Sequence, residues 1–377
     1  MNVLVTGARA PIAADIARAL SIAGHQVWVA DNLRFPVGAA SPFIQGLIHL
    51  PAPRADFRIF VSTLKTICSD FAIDVIIPTS EEVFWLAAAA PSLPPSVNVR
   101  TSPLCTLAQL HHKGLFAELA SRWGCGLPEN HEITARADLD RFENPQCYVF
   151  KPVYSRFASR TLIGPTIREL QRLQPSVLDP WLVQTRVEGR ELCTYNVADA
   201  GRLLLHVAYE PMFRVGVGAS VYFSPVNNEE LRLLSERIIG KTNFTGQISF
   251  DVMETKTGLV ALECNPRGTS GVHLAVQQPE ALAASLLGHL PDIPSSFRAA
   301  PRMLTLPLLL NHPAGIFCSG DRRMMREAKD ALQAAGVPLF AQAKAIAEMS
   351  WCAARRGMSI PRASTADIEW NGEPIRG

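Results

Sequence analysis

The residues of this sequence best suited to chemistry lie in Gly258-Leu259-Val260-Ala261-Leu262-Glu263-Cys264-Asn265-Pro266-Arg267. Side chains of an extended strand alternate between two faces, so Glu263 and Asn265 share one. The alternating run Ser249-Phe250-Asp251-Val252-Met253 precedes them across a turn, where Asp251 can meet them. Two carboxylates and an amide oxygen on one surface form an all-oxygen set of the kind Mg²⁺ takes, with substrate phosphates and waters as its other ligands. Arg267, just beyond, adds a charge suited to a phosphoryl oxygen. The plainer reading is that Glu263 and Asn265 satisfy a strand end that Pro266 terminates.

Four other segments precede this one in a telling order: Ile77-Pro78-Thr79-Ser80-Glu81-Glu82, Leu110-His111-His112-Lys113-Gly114-Leu115-Phe116, Tyr148-Val149-Phe150-Lys151-Pro152 and Val183-Gln184-Thr185-Arg186-Val187-Glu188-Gly189-Arg190-Glu191. With Glu263 to Arg267 read as E-x-N-P-R, the series resembles the ATP-grasp superfamily, in particular its carbamoyl-phosphate synthetase-like, carboxylate–amine ligase branch. The second segment resembles that family's D-K-x-x-F helix with His112 in place of Asp. The third resembles the strand carrying its second nucleotide lysine, and the fourth its adenine hinge followed by E-G-x-E. The resemblance covers about residues 1 to 290.

That resemblance implies an α/β and α+β architecture: an ATP-grasp fold in which a parallel α/β domain precedes two α+β lobes enclosing the nucleotide. Residues 1–103 would form the Rossmann-like pre-ATP-grasp domain, 104–295 the ATP-grasp domain, and 296–377 a C-terminal α+β region without an assigned role. Lys113 and Lys151 match the two phosphate lysines, and such point charges from separate elements suit ATP. Gln184, Thr185, Arg186 and Val187 match the adenine hinge, and Glu191 the ribose acceptor. Asp251, Glu263 and Asn265 match the Mg²⁺ ligands, with two ions bridged by Glu263 and Mn²⁺ as a substitute. Arg267 and Lys151 would act on the transferred phosphoryl group.

The family covers the phosphates with a glycine-rich lid after its second lysine, but this chain has Val153-Tyr154-Ser155-Arg156-Phe157-Ala158-Ser159-Arg160, with no glycine before Gly164. Arg156 and Arg160 are candidate phosphate contacts there, the alternative being a basic solvated loop. On the acceptor side, His206 to Ser220 offers Arg214 to hold a carboxylate and Ser220 to orient it. Gly268-Thr269-Ser270-Gly271-Val272-His273 offers backbone amides, at Gly271 in particular, for an acyl phosphate. His273 serves equally as a packing residue.

The elements that must position these residues follow from periodicity. Val3-Leu4-Val5, Gln26 to Ala30 and Val75-Ile76-Ile77 read as strands around a helix from Pro11 to Ala23, the signature of βαβ units and a parallel sheet. A helix is expected over Cys105 to Trp123 and strands over Tyr148 to Phe150 and Trp181 to Thr185. Gln247 to Met253 and Leu259 to Glu263 form a hairpin about Glu254 to Gly258. After Pro291 the chain turns Pro-rich, then helical and basic around Asp321 to Gln333. Thr6-Gly7-Ala8-Arg9-Ala10-Pro11 occupies a strand-to-helix turn, yet Arg9 and Pro11–Ile12, or Ala10 and Ala13, stand where a dinucleotide fingerprint needs glycine. Asp31 binds a ribose or caps a loop.

The 377 residues carry 36 Lys+Arg against 34 Asp+Glu, a net charge of +2 that argues against nucleic acid or an anionic membrane as partner. With 48% apolar and 19% charged residues, the chain can bury a sizeable core, and its 24 Gly and 28 Pro form no low-complexity tract. The eight cysteines are scattered, without C-x-x-C, and read as small buried hydrophobes in a reducing compartment. Met1 to Gly7 lacks a basic leader, and the longest apolar run, Val83 to Ala90, falls far short of the roughly 20 residues that span a bilayer. A cytoplasmic location is expected.

The resemblance therefore implies a ligase that activates the carboxylate of an amino acid or other small acid as an acyl phosphate and couples it to an amine, releasing ADP and phosphate. Small-molecule substrates and a homodimer are the implied partners. The alternatives are an ATP-grasp enzyme using bicarbonate or a thiol, a nicotinamide-dependent oxidoreductase built on the N-terminal turn, and a nucleotide-binding protein without turnover.

Overall fold

The N-terminal strands are short and apolar throughout, as expected where helices cover both faces of a parallel sheet. A computed structural model describes residues 1–156, 158, 160–215, 218–292, 299–312 and 319–375, with the side chains of 319–322 excepted. Phe157 and Ser159 of the expected lid, Gly216 and Val217 of the acceptor stretch, Cys318 and the boundary expected at 295/296 lie outside the described residues.

Five parallel strands run in the order Gly46–His49, Gln26–Asp31, Asn2–Thr6, Val75–Ile77 and Asn98–Val99. Val3, Leu4 and Val5 are fully buried between helices on either side. The helix Ile12–Ile22 turns Ala13, Ile16, Ala17 and Leu20 inward, the spacing of one helical face. Gly7 adopts φ +66° against Thr79 and Glu82, so the turn after the first strand is too tight for a side chain.

An antiparallel sheet of four strands, Asn130–Ile133, Trp181–Thr185, Tyr148–Pro152 and Leu162–Ile163, closes over its own small core of Ile133, Phe142, Phe150, Trp181 and Val183. A third sheet contains seven strands in the order Gly258–Asn265, Gly246–Thr255, Arg190–Asp199, Arg202–Val215, Ala219–Val226, Arg302–Met303 and Lys329–Asp330. Its last pairing is parallel and the others antiparallel, so the C-terminal region extends this sheet through two short strands. No helix among the described residues is long and apolar enough to cross a membrane.

Two expectations need correction. The helix anticipated over Cys105 to Trp123 is two helices, Leu104–His111 and Lys113–Arg122. His112 breaks it by taking an extended conformation, ψ 107°, and capping the second helix, its Nδ1 accepting from the Leu115 amide at 3.2 Å. The basic stretch expected to be helical from Asp321 to Gln333 divides into a helix Ser319–Glu327, the strand Lys329–Asp330 and a helix Ala331–Ala334. Asp330 makes that division by capping the last helix, accepting from the Gln333 amide at 2.7 Å.

His206 carries a pH signature of this core. Its Nδ1 meets Asn196 Oδ1 at 2.7 Å, Nε2 is buried without a partner, and burial holds its pKa down at about 4. The unfolded chain takes up that proton near the ordinary 6.5, so stability is lost as pH falls from 6.5 to about 4, by about 3 kcal/mol. His206→Gln is expected to remove this part of the acid slope, which urea midpoints on either side of the window would measure.

Candidate ATP and metal site

The hairpin Gly246–Thr255 to Gly258–Asn265 brings its acidic residues together as alternation requires. Asp251 lies directly opposite Glu263, and Asn265 Nδ2 donates to Asp251 Oδ2 at 3.2 Å. The ladder holds one irregularity: Asp251 faces Glu263 but Val252 faces Ala261, so Leu262 bulges without a partner. Its freed carbonyl accepts from Lys151 Nζ at 3.2 Å.

Two lysines from separate elements converge on this hairpin. Lys113 stands at the first position of its helix, 4% exposed, with Nζ 3.4 Å from Glu263 Oε2 and donating to the Ser155 carbonyl at 3.2 Å. Lys151, on the inner strand Tyr148–Pro152 of the four-stranded sheet, places Nζ 3.9 Å from the same oxygen. Burial brings the Lys151 ammonium down to about 8, although Glu263 opposes that shift.

Burial alone would raise both carboxyls. At Glu263 the Lys113 and Lys151 charges outweigh burial and hold it ionised, whereas at Asp251 burial and the Glu263 charge act together and raise it. Of the two carboxyls, Asp251 is therefore the one that takes up a proton more readily. A half-buried carboxylate pair neutralised by lysines is one that a cation would complete. The donors, two carboxylates and an amide, fit Mg²⁺ better than a soft metal. Among the described residues no cluster of three or more His, Cys, Asp or Glu gathers as a metal site, and the set here is two carboxylates and an amide.

Arg267 reaches the same place, but its Nε lies 2.6 Å from Glu81 Oε1, and its Nη2 donates to Asn265 Oδ1 at 3.2 Å. Glu81 comes from the strand-end motif of the N-terminal domain and was not singled out in the sequence. Burial would raise it, yet Arg156 and Arg267 on its two sides hold it at about 2. Cys193 was also not singled out. It pairs in register with Asp251, and burial together with the Asp251 charge raises its thiol's pKa.

The other expected residues divide into those near this centre and those engaged elsewhere. Gln184 is buried and donates to Asn130 Oδ1 at 2.6 Å, while the Thr185 and Arg186 amides bond to the Glu129 and Cys147 carbonyls. Val187 follows, half-buried. Glu191 and Arg214 form an ion pair at 2.6 Å next to Asp251, so the two residues expected to hold ribose and acceptor carboxylate hold each other. Ser220, opposite Arg214 in the ladder, points its hydroxyl at the Met212 and Tyr222 carbonyls. Gly271 packs against Tyr195 so closely that a Cβ would collide with it. His273 is buried in a 2.5 Å contact with Asp15, which ties the loop after the hairpin to the first helix.

The two lid arginines are engaged in ion pairs. Arg160 grips Asp179 with two hydrogen bonds, 3.0 and 2.6 Å, and lies over the Trp181 ring. Arg156 is buried among Glu81, Glu369, Asn371, His111 and the Trp370 carbonyl.

No protein-family model matches the sequence, and no curated protein sequence matches it. Solved structures do. N5-carboxyaminoimidazole synthetase from Staphylococcus aureus matches with TM-score 0.61 at 13% identity over 83% of this chain and 84% of that one. The L-amino acid ligase from Bacillus licheniformis matches with TM-score 0.61 at 17% identity, over 80% and 79%. The biotin carboxylase domain of Hydrogenobacter thermophilus 2-oxoglutarate carboxylase, solved with MgADP and bicarbonate, matches with TM-score 0.62 at 12% identity, over 80% and 74%. At such identities the likeness establishes the fold: this chain has the ATP-grasp fold, a parallel α/β sheet followed by antiparallel lobes.

Proposed function

We propose that this chain is an ATP-dependent carboxylate–amine ligase. The observation carrying the reading is the convergence of Lys113 and Lys151, from separate elements, on the Glu263 carboxylate that faces Asp251 across the hairpin. In this reading the lysines hold ATP phosphates, the backbone of Gln184 to Val187 borders the adenine, and Asp251, Glu263 and Asn265 hold Mg²⁺. When bound, Mg²⁺ neutralises charge on the phosphates during transfer.

A carboxylate oxygen of the first substrate attacks the γ-phosphorus in line, the bond to ADP breaks, and an acyl phosphate results. The amine of the second substrate attacks the acyl carbon, phosphate leaves, and the ammonium proton goes to solvent. Within the chain, Lys151 and Arg267 steady the phosphoryl oxygens, and no protein nucleophile is required. Arg214 and Glu191, already paired beside Asp251, border the acceptor space.

The oxidoreductase alternative meets a filled crevice. Arg9 takes the place of a fingerprint glycine, and its guanidinium is buried on Asp31, 2.7 Å away, and Asp367, 2.6 Å away. A dinucleotide pyrophosphate needs the close backbone approach that this side chain occupies.

The experiment is ADP and phosphate release from MgATP across pairs of amino acids and other small acids and amines, with mass analysis of the product. ADP release dependent on an acid and an amine together, with a product lighter by one water than their sum, is expected. Absence of ADP with every pair would sink the reading.

A further inference from the structure

The segment that follows the helix Ile360–Ala363 lies against both the N-terminal domain and the loop after Lys151. On the first side, Trp85 Nε1 donates to the Ile368 carbonyl at 2.9 Å, Trp370 stacks on Phe84 at 5.3 Å, and Arg54 pairs with Glu369 at 2.7 Å. On the second, Arg156 donates through Nη2 to the Trp370 carbonyl and through Nη1 to Asn371 Oδ1, each at 2.5 Å, with Glu369 at 3.6 Å. Tyr154 meets the Trp370 ring edge-on at 5.9 Å. The residue between them, Ser155, accepts from Lys113.

We propose that Glu369 to Asn371 form a strap that fixes Tyr154-Ser155-Arg156 against Lys113, with Arg156 as the positioning residue it grips. The physical need lies in the sequence of the loop, which has no glycine from Val153 to Arg160. Such a backbone lacks the freedom to fold over a phosphate by amide contacts alone, so side-chain attachments must set its place. Arg156 is buried, and its donors face Glu81 and the tail. A cavity of about 150 Å³, lined by Tyr154, Ser155, Thr365, Glu369 and Asn371 among others, adjoins these contacts. The Arg156 hydrogen bonds beside this open space add to the packing of Trp370 on Phe84 and Tyr154 in making the attachment. Glu81 is the second anchor, joining the same guanidinium to Arg267 at the hairpin. The inference rests on the ATP reading for what the loop covers, but the strap itself does not.

The test is trypsin cleavage after Arg156 in the full chain without substrate, comparing wild type with the double variant Glu369→Gln and Asn371→Ala. Cleavage tracks the open population when opening is fast, and at least a tenfold faster cut is expected in the variant. Hydrogen exchange of residues 153–156 is expected to rise while exchange in the strand Asn2–Thr6 stays unchanged. Equal cleavage and exchange in the two proteins would overturn the strap, and so would exchange rising equally in the loop and the strand, which would mark general destabilisation. MgADP added to the variant is expected to slow the cut. Failure of that arm alone counts against the ATP reading and leaves the strap standing.

Discussion

Glu263→Gln is expected to lower Mg²⁺-dependent ADP release by roughly a thousandfold in kcat, the scale seen when one electrostatic contact to a developing charge is lost. Glu263 is the carboxylate that both lysines approach and the one Asp251 faces. An amide there supplies no charge to a metal ion. The fold is expected to survive, because loss of the Glu263 charge removes a cause of the raised Asp251 pKa, and Asp251 can then ionise beside the lysines. Nucleotide affinity, measured with ADP, is expected to stay within about tenfold, since the lysines remain. Turnover within tenfold of wild type would remove the hairpin from the mechanism.

The largest effect on stability is expected at Arg9. Its guanidinium lies between Asp31 and Asp367, whose side chains are 1% and 10% exposed, and it also bonds to Asn32 and the Ser364 carbonyl. Arg9→Ala leaves two largely buried carboxylates without their cation, a change that costs about 3–5 kcal/mol. Burial would raise Asp367, but Arg9 outweighs it and lowers the folded-state pKa. The stabilisation is therefore present above the ordinary 3.8 and fades as pH falls through the lower folded value. Arg9→Lys keeps the charge but loses the fork, so its loss should be intermediate. Denaturant midpoints measure all three proteins, and an unchanged midpoint for Arg9→Ala would refute the assignment.

What could be read from the sequence follows a physical divide. The meeting of Asp251, Glu263 and Asn265 depends on a hairpin, whose contacts are local and whose period is two. The parallel sheet was legible from three apolar runs, since strands buried on both faces need no alternation. Arg156 was legible only as a cation near a lysine strand, because Trp370 and Asn371 lie more than two hundred residues away. Glu81 stood inside a recognised segment, yet its two arginine partners come from different lobes. The helix break at His112 was hidden because histidine seldom serves as a cap, although its ring nitrogen accepts an amide as an Asp carboxylate would.

The bulge at Leu262 sets the arithmetic of the hairpin. Counting from the Thr255–Gly258 pair, Asp251 is four residues back, and the residue four forward is Leu262 rather than Glu263. Arms of equal length would set an aliphatic side chain opposite Asp251 and turn Glu263 to the side where Ala261 and Cys264 are buried. The surplus residue makes the arms four and five, and this odd difference delivers the second carboxylate to the first. Parity, more than composition, is what this hairpin must preserve: its turn and outer positions can accept substitution, but one residue gained or lost in either arm would replace an oxygen-lined face with an apolar one.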